Sequence, residues 1–300
     1  MAGWLARVLR AGHEERRVML MCGVAAGFGS VFGTPLAGAL FAMEVLAVGR
    51  VQYVALVPVL LAAVLGDAVC TAWGAHHTVY HLEVSQEGLA RAGFDGMLLL
   101  KAALAGCCFG LVGRGFAGMT HGLQRGLARL APYPPLRPVL GGCLVIALVY
   151  ATGTREFLGL GVEAGPWGGT SIVSAFEPGG AGAWDWLGKT VFTVVTLGSG
   201  FKGVELTPRF IIGSTLGHTL GVMMQEPVAL FAALGVLAGF DGASNTPLAC
   251  TVLGVELFGS HYAVYFAAAC FAAYHCSGHR GIYRAQRVAV AKSGGGDGAG

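Results

Sequence analysis

Apolar segments follow one another along the chain with short polar interruptions, and they fall into two length classes. A stretch of about 20 apolar residues is long enough to cross a bilayer as a helix. The full-length candidates are 18–32, 51–73, 96–118, 136–152, 185–200 and 261–277. The shorter candidates, opened or closed by Gly, Pro or Asn, are 35–46, 208–223, 227–239 and 247–258. The pattern predicts an all-α integral membrane protein with broken helices, whose buried ends leave backbone N–H groups in need of partners.

Composition and charge support the membrane prediction. The 300 residues are 55% hydrophobic and 12% charged, whereas a soluble domain has about 25% charged residues. The net charge of +3 is too small for a nucleic-acid-binding surface. These values exclude an ordinary cytosolic enzyme, a disordered chain and a nucleic-acid binder. Basic residues after the last apolar segment favour a cytoplasmic C-terminus, and the Gly-rich residues 289–300 are expected to be a disordered tail.

Sequence motifs for enzymatic, metal or cofactor chemistry are absent. The eight cysteines include no Cys-x-x-Cys pattern, and the chain contains neither His-Glu-x-x-His nor Gly-x-Ser-x-Gly. The histidine-containing segment 76–83 lacks regular ligand spacing, so we interpret it as a wet interfacial loop. We therefore predict no enzyme, no metal site and no cofactor.

Two segments of the chain repeat each other at an offset of 212 residues. The matches are Ala-Gly-Phe at 26–28 and 238–240, Thr-Pro-Leu-Ala at 34–37 and 246–249, and a glutamate at Glu44 and Glu256. Thr, Pro and Glu are not typical of membrane helices, so shared hydrophobicity does not explain the identities. Duplicated membrane units with broken helices at matching positions are typical of transporters, whose binding sites lie near the bilayer midplane.

The repeated Thr-Pro pairs predict two pore-helix starts, at Thr34-Pro35 and Thr246-Pro247. A purely structural role, with Thr as the N-cap and Pro in the first turn, fits the same residues. For the glutamates at the far ends of these two helices, we favour an interfacial position facing water over a role in transport.

The segment 200–208, Gly-Phe-Lys-Gly-Val-Glu-Leu-Thr-Pro, is the strongest candidate for an anion site. A Gly-rich loop that runs into a helix N-terminus supplies oriented N–H groups and a positive dipole end. Glu205 beside such a site is a candidate proton carrier. The alternative is that Lys202 and Glu205 only pair with each other at a helix entrance. The counterpart of Glu205 at the 212-residue offset falls before Met1, so we expect the chain to begin inside an incomplete first repeat.

Two segments carry a resemblance to a known family. Gly-Ser-Val-Phe-Gly-Thr-Pro-Leu-Ala-Gly-Ala-Leu-Phe-Ala-Met-Glu-Val, at 29–45, resembles the helix G to helix H region of the CLC chloride channels and anion/proton exchangers. Ser-Gly-His-Arg-Gly-Ile-Tyr-Arg-Ala-Gln, from Ser277, resembles that family's last helical stretch. The resemblance implies an inverted repeat of broken helices and a dimer with one ion pathway per subunit. Residues 1–288 would form a partial CLC-like transmembrane domain, from about helix G onward.

Within the family, segment 200–208 is most similar to the bacterial fluoride/proton antiporters, although Val204 stands where that branch has Gly. The resemblance implies that Glu205 couples protons. It also implies that Thr207, Tyr283 and the backbone N–H groups of Glu205 and Leu206 contact the anion. The family's gating Gly-Arg-Glu-Gly motif is not found in these 300 residues.

The function expected from the resemblance is fluoride/proton antiport across the inner membrane, with fluoride or chloride, protons, lipid and a second copy of the chain as partners. One alternative is a chloride channel or a chloride/proton exchanger. The other is a truncated paralogue that transports nothing.

Overall fold

The computed structural model describes residues 2–75, 77, 82, 95–162, 168–203, 206–278, 281, 283 and 286–288. Helices dominate these residues, as the apolar pattern predicts. They are α1 Ala2–Val8, α2 His13–Phe32, α3 Pro35–Glu44, α4 Leu56–Ala72, α5 Gly96–Leu130, α6 Leu136–Thr152, α7 Asp185–Gly198, α8 Leu206–Met224, α9 Val228–Ser244, α10 Pro247–Phe258 and α11 Ala263–Cys276. Val204, Glu205 and the predicted tail at 289–300 lie outside the described residues.

The helix positions follow the apolar pattern, but several lengths differ from the prediction. Among the described helices, Tyr53–Ala72 and Gly96–Leu130 are long and apolar enough to span a membrane, with mean hydropathies of 2.2 and 1.8. The segments predicted as full spans at 185–200 and 261–277 form helices of 14 residues, about 21 Å long. That is shorter than a hydrocarbon core of about 30 Å. Ser199-Gly200 and Ser277-Gly278 follow the last residues of these two helices.

Helix α5 shows the opposite difference. It extends to Leu130, 12 residues past the predicted end at 118. The added turns keep apolar residues at helical spacing while gaining His121, Gln124 and two arginines. The hydropathy therefore falls before the helix ends.

The described residues divide into two compact units. The first unit contains residues 1–80, 244–263 and 283–300, and the second contains 81–243 and 264–282. In the first unit, α2, α3 and α4 enclose a core of small and flexible apolar side chains: Met21, Ala25, Ala39, Ala42, Met43, Ala55, Val59 and Ala63. A Cβ on Gly38 would stand 2.9 Å from the carbonyl oxygen of Ala25. Small residues thus let these helices approach closely, as in membrane bundles.

The second unit contains α5 to α8, most of α9 and most of α11, and glycines mark its helix crossings. Gly213 of α8 faces Gly235 of α9 so closely that a Cβ on either would collide with the other's backbone. A Cβ on Gly106 of α5 would likewise collide with the backbone of Ala269 in α11. Backbone-to-backbone packing of this kind holds helices together where lipid removes the hydrophobic driving force.

A short parallel pairing, which the sequence pattern did not predict, joins distant parts of the first unit. Strand β1, Ala47–Val48, pairs with β2, Arg287–Val288, in the register Ala47↔Arg287 and Val48↔Val288. The pairing ties the chain after α11 to the residues that follow α3.

Candidate functional site

The two repeated segments fold into the same turn. Gly33 and Asn245 occupy equivalent positions and both adopt left-handed backbone conformations, with φ of 67° and 59°. Thr34 and Thr246 follow with φ/ψ of −129°/74° and −131°/64°, and a proline then opens each helix. Asn tolerates the left-handed region better than most non-glycine residues. The structure thus gives the 212-residue repeat a common backbone geometry.

Helices α3 and α10 cap each other through their glutamates. Glu44 accepts hydrogen bonds from the backbone N–H groups of Leu248 (3.3 Å) and Ala249 (2.9 Å), and Glu256 accepts from those of Leu36 (3.0 Å) and Ala37 (2.7 Å). Each carboxylate comes from the C-terminal end of one helix and meets the N-terminal turn of the other. The two helices therefore run antiparallel, and each N-terminus receives the negative charge that its dipole favours.

This arrangement corrects two expectations. Glu44 is 7% exposed, so the expected position facing water is wrong for this residue, whereas Glu256 is half-buried. The threonines do not cap through their side chains either. The Oγ1 atom of Thr34 is buried and has no hydrogen-bond partner among the described residues, and that of Thr246 lies 2.6 Å from the hydroxyl of Ser244. Helices α3 and α10 do begin at Pro35 and Pro247, and protein carboxylates bind their first turns.

The predicted anion site falls at the start of α8 in the second unit. Leu206 and Thr207 are the first two residues of this helix, and both are half-buried. Pro208 and Arg209 follow and are buried. Lys202 is exposed. The alternative that it pairs with Glu205 concerns a residue outside the described part of the chain.

Tyr283 lies in the first unit, against α3. Its ring centroid is 6.3 Å from that of Phe41, at an edge-to-face angle of 66°. Phe41 is 5% exposed and stacks in turn on Phe28, with centroids 4.8 Å apart. The tyrosine predicted to contact the anion therefore packs against Phe41 of helix α3.

The second unit buries two cations that the sequence analysis passed over. Lys189 of α7 is 2% exposed, and its ammonium donates to the carbonyl oxygens of Phe157 (3.0 Å) and Gly159 (2.8 Å). Arg209 is 4% exposed and stacks over Phe116, with 4.5 Å between the guanidinium carbon and the ring centroid. An isolated cation in an apolar run is the sequence signal that would have found both.

Arg209 also lines a cavity of about 20 Å³, roughly the room that a single water molecule needs. Its other lining residues are apolar or glycine: Phe109, Val112, Gly113, Phe116, Ile212, Gly213, Leu216 and Gly239.

Of the polar residues in the histidine-containing segment 76–83, the structure describes His77. The Nε2 atom of His77 lies 2.9 Å from the carbonyl oxygen of Ser30. His76, Tyr80, His81 and Glu83 lie outside the described residues. Among the residues that the structure covers, no three His, Cys, Asp or Glu side chains are grouped to hold a metal ion.

Comparison with known proteins gives consistent matches along the chain. A "Chloride/fluoride channel protein" of Pseudomonas syringae pv. tomato is 48% identical over 299 residues, covering 97% of this chain and 63% of that protein. A "Voltage-gated ClC-type chloride channel ClcB" of Citrobacter koseri is 27% identical over 83% of this chain and 58% of its own length. The chain thus spans less than two thirds of the length of these curated relatives.

Solved structures of the same architecture also match. The crystal structure of a CLC-type fluoride/proton antiporter superposes with a TM-score of 0.84 at 32% identity, over 96% of this chain and 70% of that one. A slow cyanobacterial Cl⁻/H⁺ antiporter, at 19% identity and a TM-score of 0.67, shares the fold. Residues 1–278 match the family described as voltage gated chloride channel. The chain therefore belongs to the voltage-gated chloride channel (CLC) family.

Proposed function

We propose that this chain serves CLC-type anion transport, and specifically the export of fluoride in exchange for protons. The observation that carries the proposal is the sequence Glu205-Leu206-Thr207-Pro208 at the start of α8. It combines an ionisable group, a hydroxyl and a helix N-terminus. The 48% identical relative is named for chloride and fluoride, and the structure at 32% identity is of a fluoride/proton antiporter; both names support the proposal.

Fluoride chemistry fits the donor groups that the chain offers. Fluoride is small and strongly hydrated, so a site that removes its water needs several hydrogen-bond donors. Thr207 and Tyr283 supply hydroxyls, and the N-terminal turn of α8 supplies backbone N–H groups with a positive dipole end. In this proposal the carboxyl group of Glu205 carries the exchanged proton.

The capped helices narrow the choice of anion site. The first turns of α3 and α10 already bind Glu256 and Glu44. An anion there would have to displace a carboxylate held by two hydrogen bonds. The N-terminus of α8 is therefore the helix start at which we place the anion.

Chloride transport is the competing function, since the Citrobacter relative is named as a chloride channel. Efflux of fluoride and chloride from proteoliposomes, followed with ion-selective electrodes, separates the two. The 300-residue chain should be tested by itself and within the longest reading frame that contains it. Fluoride efflux well above chloride efflux in either form supports the proposal. Chloride efflux without fluoride efflux would contradict it, and a silent protein in both forms would favour the non-transporting paralogue.

The proposal also covers the membrane, the orientation and the oligomeric state of the protein. We place it in the inner membrane with a cytoplasmic C-terminus, because Arg280, Arg284, Arg287 and Lys292 follow the last helix. We also propose a homodimer, as expected for the family.

A further inference from the structure

The side-chain amide of Gln286 connects its own part of the chain to Val45 and to the neighbouring residues Ser244 and Asn245. Its Nε2 atom donates to the carbonyl oxygens of Val45 (3.0 Å) and Ser244 (2.7 Å). Its Oε1 atom accepts a hydrogen bond from the Nδ2 atom of Asn245 (3.1 Å). Two donated bonds and one accepted bond fix the orientation of the amide, because the flipped amide would set an oxygen against two carbonyl oxygens.

The three partners of Gln286 lie next to the two repeated helices, α3 and α10. Val45 is the residue that follows α3, and Ser244 and Asn245 form the left-handed turn that precedes α10. Helices α3 and α10 are the pair that the two glutamate caps hold together. Gln286 therefore bridges the end of one capped helix and the beginning of the other.

The same residue lies one turn from Tyr283. The backbone N–H of Gln286 donates to the carbonyl oxygen of Tyr283 at 3.0 Å. The next two residues form β2 and pair with β1 just after α3. The Tyr283 ring, at the other end of this segment, rests on Phe41 of α3. Tyr283 and residues 286–288 are thus both attached to α3 or to the residues just after it.

We propose that Gln286 is a positioning residue for the Tyr283 hydroxyl, which it fixes relative to the capped helix pair α3–α10. The inference rests on the proposed function, in which that hydroxyl contacts the anion. Without the amide, the chain at position 286 loses its hydrogen bonds to Val45, Ser244 and Asn245, and the Tyr283 hydroxyl is held less firmly in one direction. Affinity for the anion then falls, while the maximal transport rate changes less.

A double-mutant cycle tests this inference. In proteoliposomes, Gln286→Ala should raise the apparent KM for fluoride about tenfold, a value at the low end for losing a hydrogen bond to a charged group. In the Tyr283→Phe background the same change should add nothing, because Gln286 acts through that hydroxyl. An equal effect of Gln286→Ala in both backgrounds, or an unchanged KM, would overturn the inference.

Two further variants keep the test decisive. Gln52→Ala is the matched control, since the side chain of Gln52 in the same unit makes no hydrogen bond to the described residues; its KM should equal that of the unmodified protein. Asn245→Gly keeps the left-handed turn but removes the donor to Gln286, and it should give a smaller rise in KM. If Gln286→Ala fails to fold, Asn245→Gly tests the inference in its place.

A measurement without transport separates this inference from the proposed function. With 3-fluorotyrosine at position 283, Gln286→Ala should broaden or shift the ¹⁹F resonance of the detergent-solubilised protein, and Gln52→Ala should not. This result is expected even if the protein moves no fluoride. An unchanged ¹⁹F resonance in Gln286→Ala would overturn the positioning role directly.

Discussion

Two hydroxyl groups, of Thr207 and Tyr283, are the side-chain donors that the account assigns to the anion. Removing either one, as Thr207→Ala or Tyr283→Phe, deletes a hydrogen bond to a charged ligand, which is worth about 1.5–3 kcal/mol. We expect the apparent KM for fluoride to rise roughly ten- to a hundredfold in electrode-monitored efflux, while the unfolding temperature stays near that of the unmodified protein.

Matched controls for these hydroxyls lie on α6. Thr152 is exposed and donates to a carbonyl of its own helix, and Tyr150 is 83% exposed. Thr152→Ala and Tyr150→Phe should leave the KM unchanged. If Thr207→Ala and Tyr283→Phe behave like these controls, neither hydroxyl contacts the anion.

Glu205 is assigned to the proton rather than to the anion. Glu205→Gln keeps the size of the side chain but removes its ability to release a proton, so proton movement should no longer accompany fluoride movement. A pH-sensitive dye inside proteoliposomes, read together with a fluoride electrode, measures both fluxes. Persisting proton movement in Glu205→Gln would assign the coupling to another group.

At the scale of elements, the reciprocal caps make a prediction about stability. Glu44→Ala leaves the N–H groups of Leu248 and Ala249 without their acceptor, and Ala249 is buried. It should lower the free energy of unfolding by about 1–3 kcal/mol. Glu44→Gln retains one acceptor oxygen and should cost less. Thermal unfolding in detergent measures both.

Glu256→Ala should destabilise in the same way, because Glu256 makes the equivalent pair of hydrogen bonds. Glu177 is exposed and serves as the control. If Glu44→Ala and Glu256→Ala are as stable as Glu177→Ala, the caps contribute nothing to the fold.

The close crossing of α8 and α9 gives a second prediction at this scale. Gly213→Ala places a methyl group against the carbonyl of Gly235 and should destabilise the protein by more than about 1 kcal/mol. Gly118 of α5 has open space around its missing Cβ. Gly118→Ala should therefore be neutral or stabilising by up to about 1 kcal/mol. Equal unfolding temperatures for the two variants would contradict the packing described here.

The elements themselves could be predicted because local sequence encodes them. Apolar runs end at Gly, Pro or Asn, and the repeated Thr-Pro pairs give the starts of α3 and α10 to the residue. The capping partners could not be predicted in this way. Glu44 meets Ala249 across 205 residues, and no local pattern indicates which helix start a distant carboxylate reaches.

At the scale of the whole molecule, composition and the apolar pattern predict a helical membrane protein, the repeat indicates a transporter, and only the resemblance of particular segments such as 29–45 indicates the family. The candidate site was partly predictable: the motif around Thr207 and the tyrosine at 283 stand out in the sequence. Gln286 does not stand out, because its importance arises from two backbone carbonyls and one side-chain amide that only the folded chain brings together. The cations Lys189 and Arg209 differ, since their isolation in apolar runs is visible in the sequence; only their partners, carbonyl groups and a ring, depend on the folded chain.

The central claim is that fluoride movement is coupled to proton movement in the opposite direction. The most direct test is to load proteoliposomes with fluoride at equal internal and external pH and to follow the internal pH as fluoride leaves. If fluoride leaves in exchange for protons, the interior acidifies as fluoride leaves, this change persists when a potassium ionophore clamps the voltage, and Glu205→Gln abolishes it. Fluoride efflux with no change of internal pH under the voltage clamp would contradict antiport and identify a passive anion pathway.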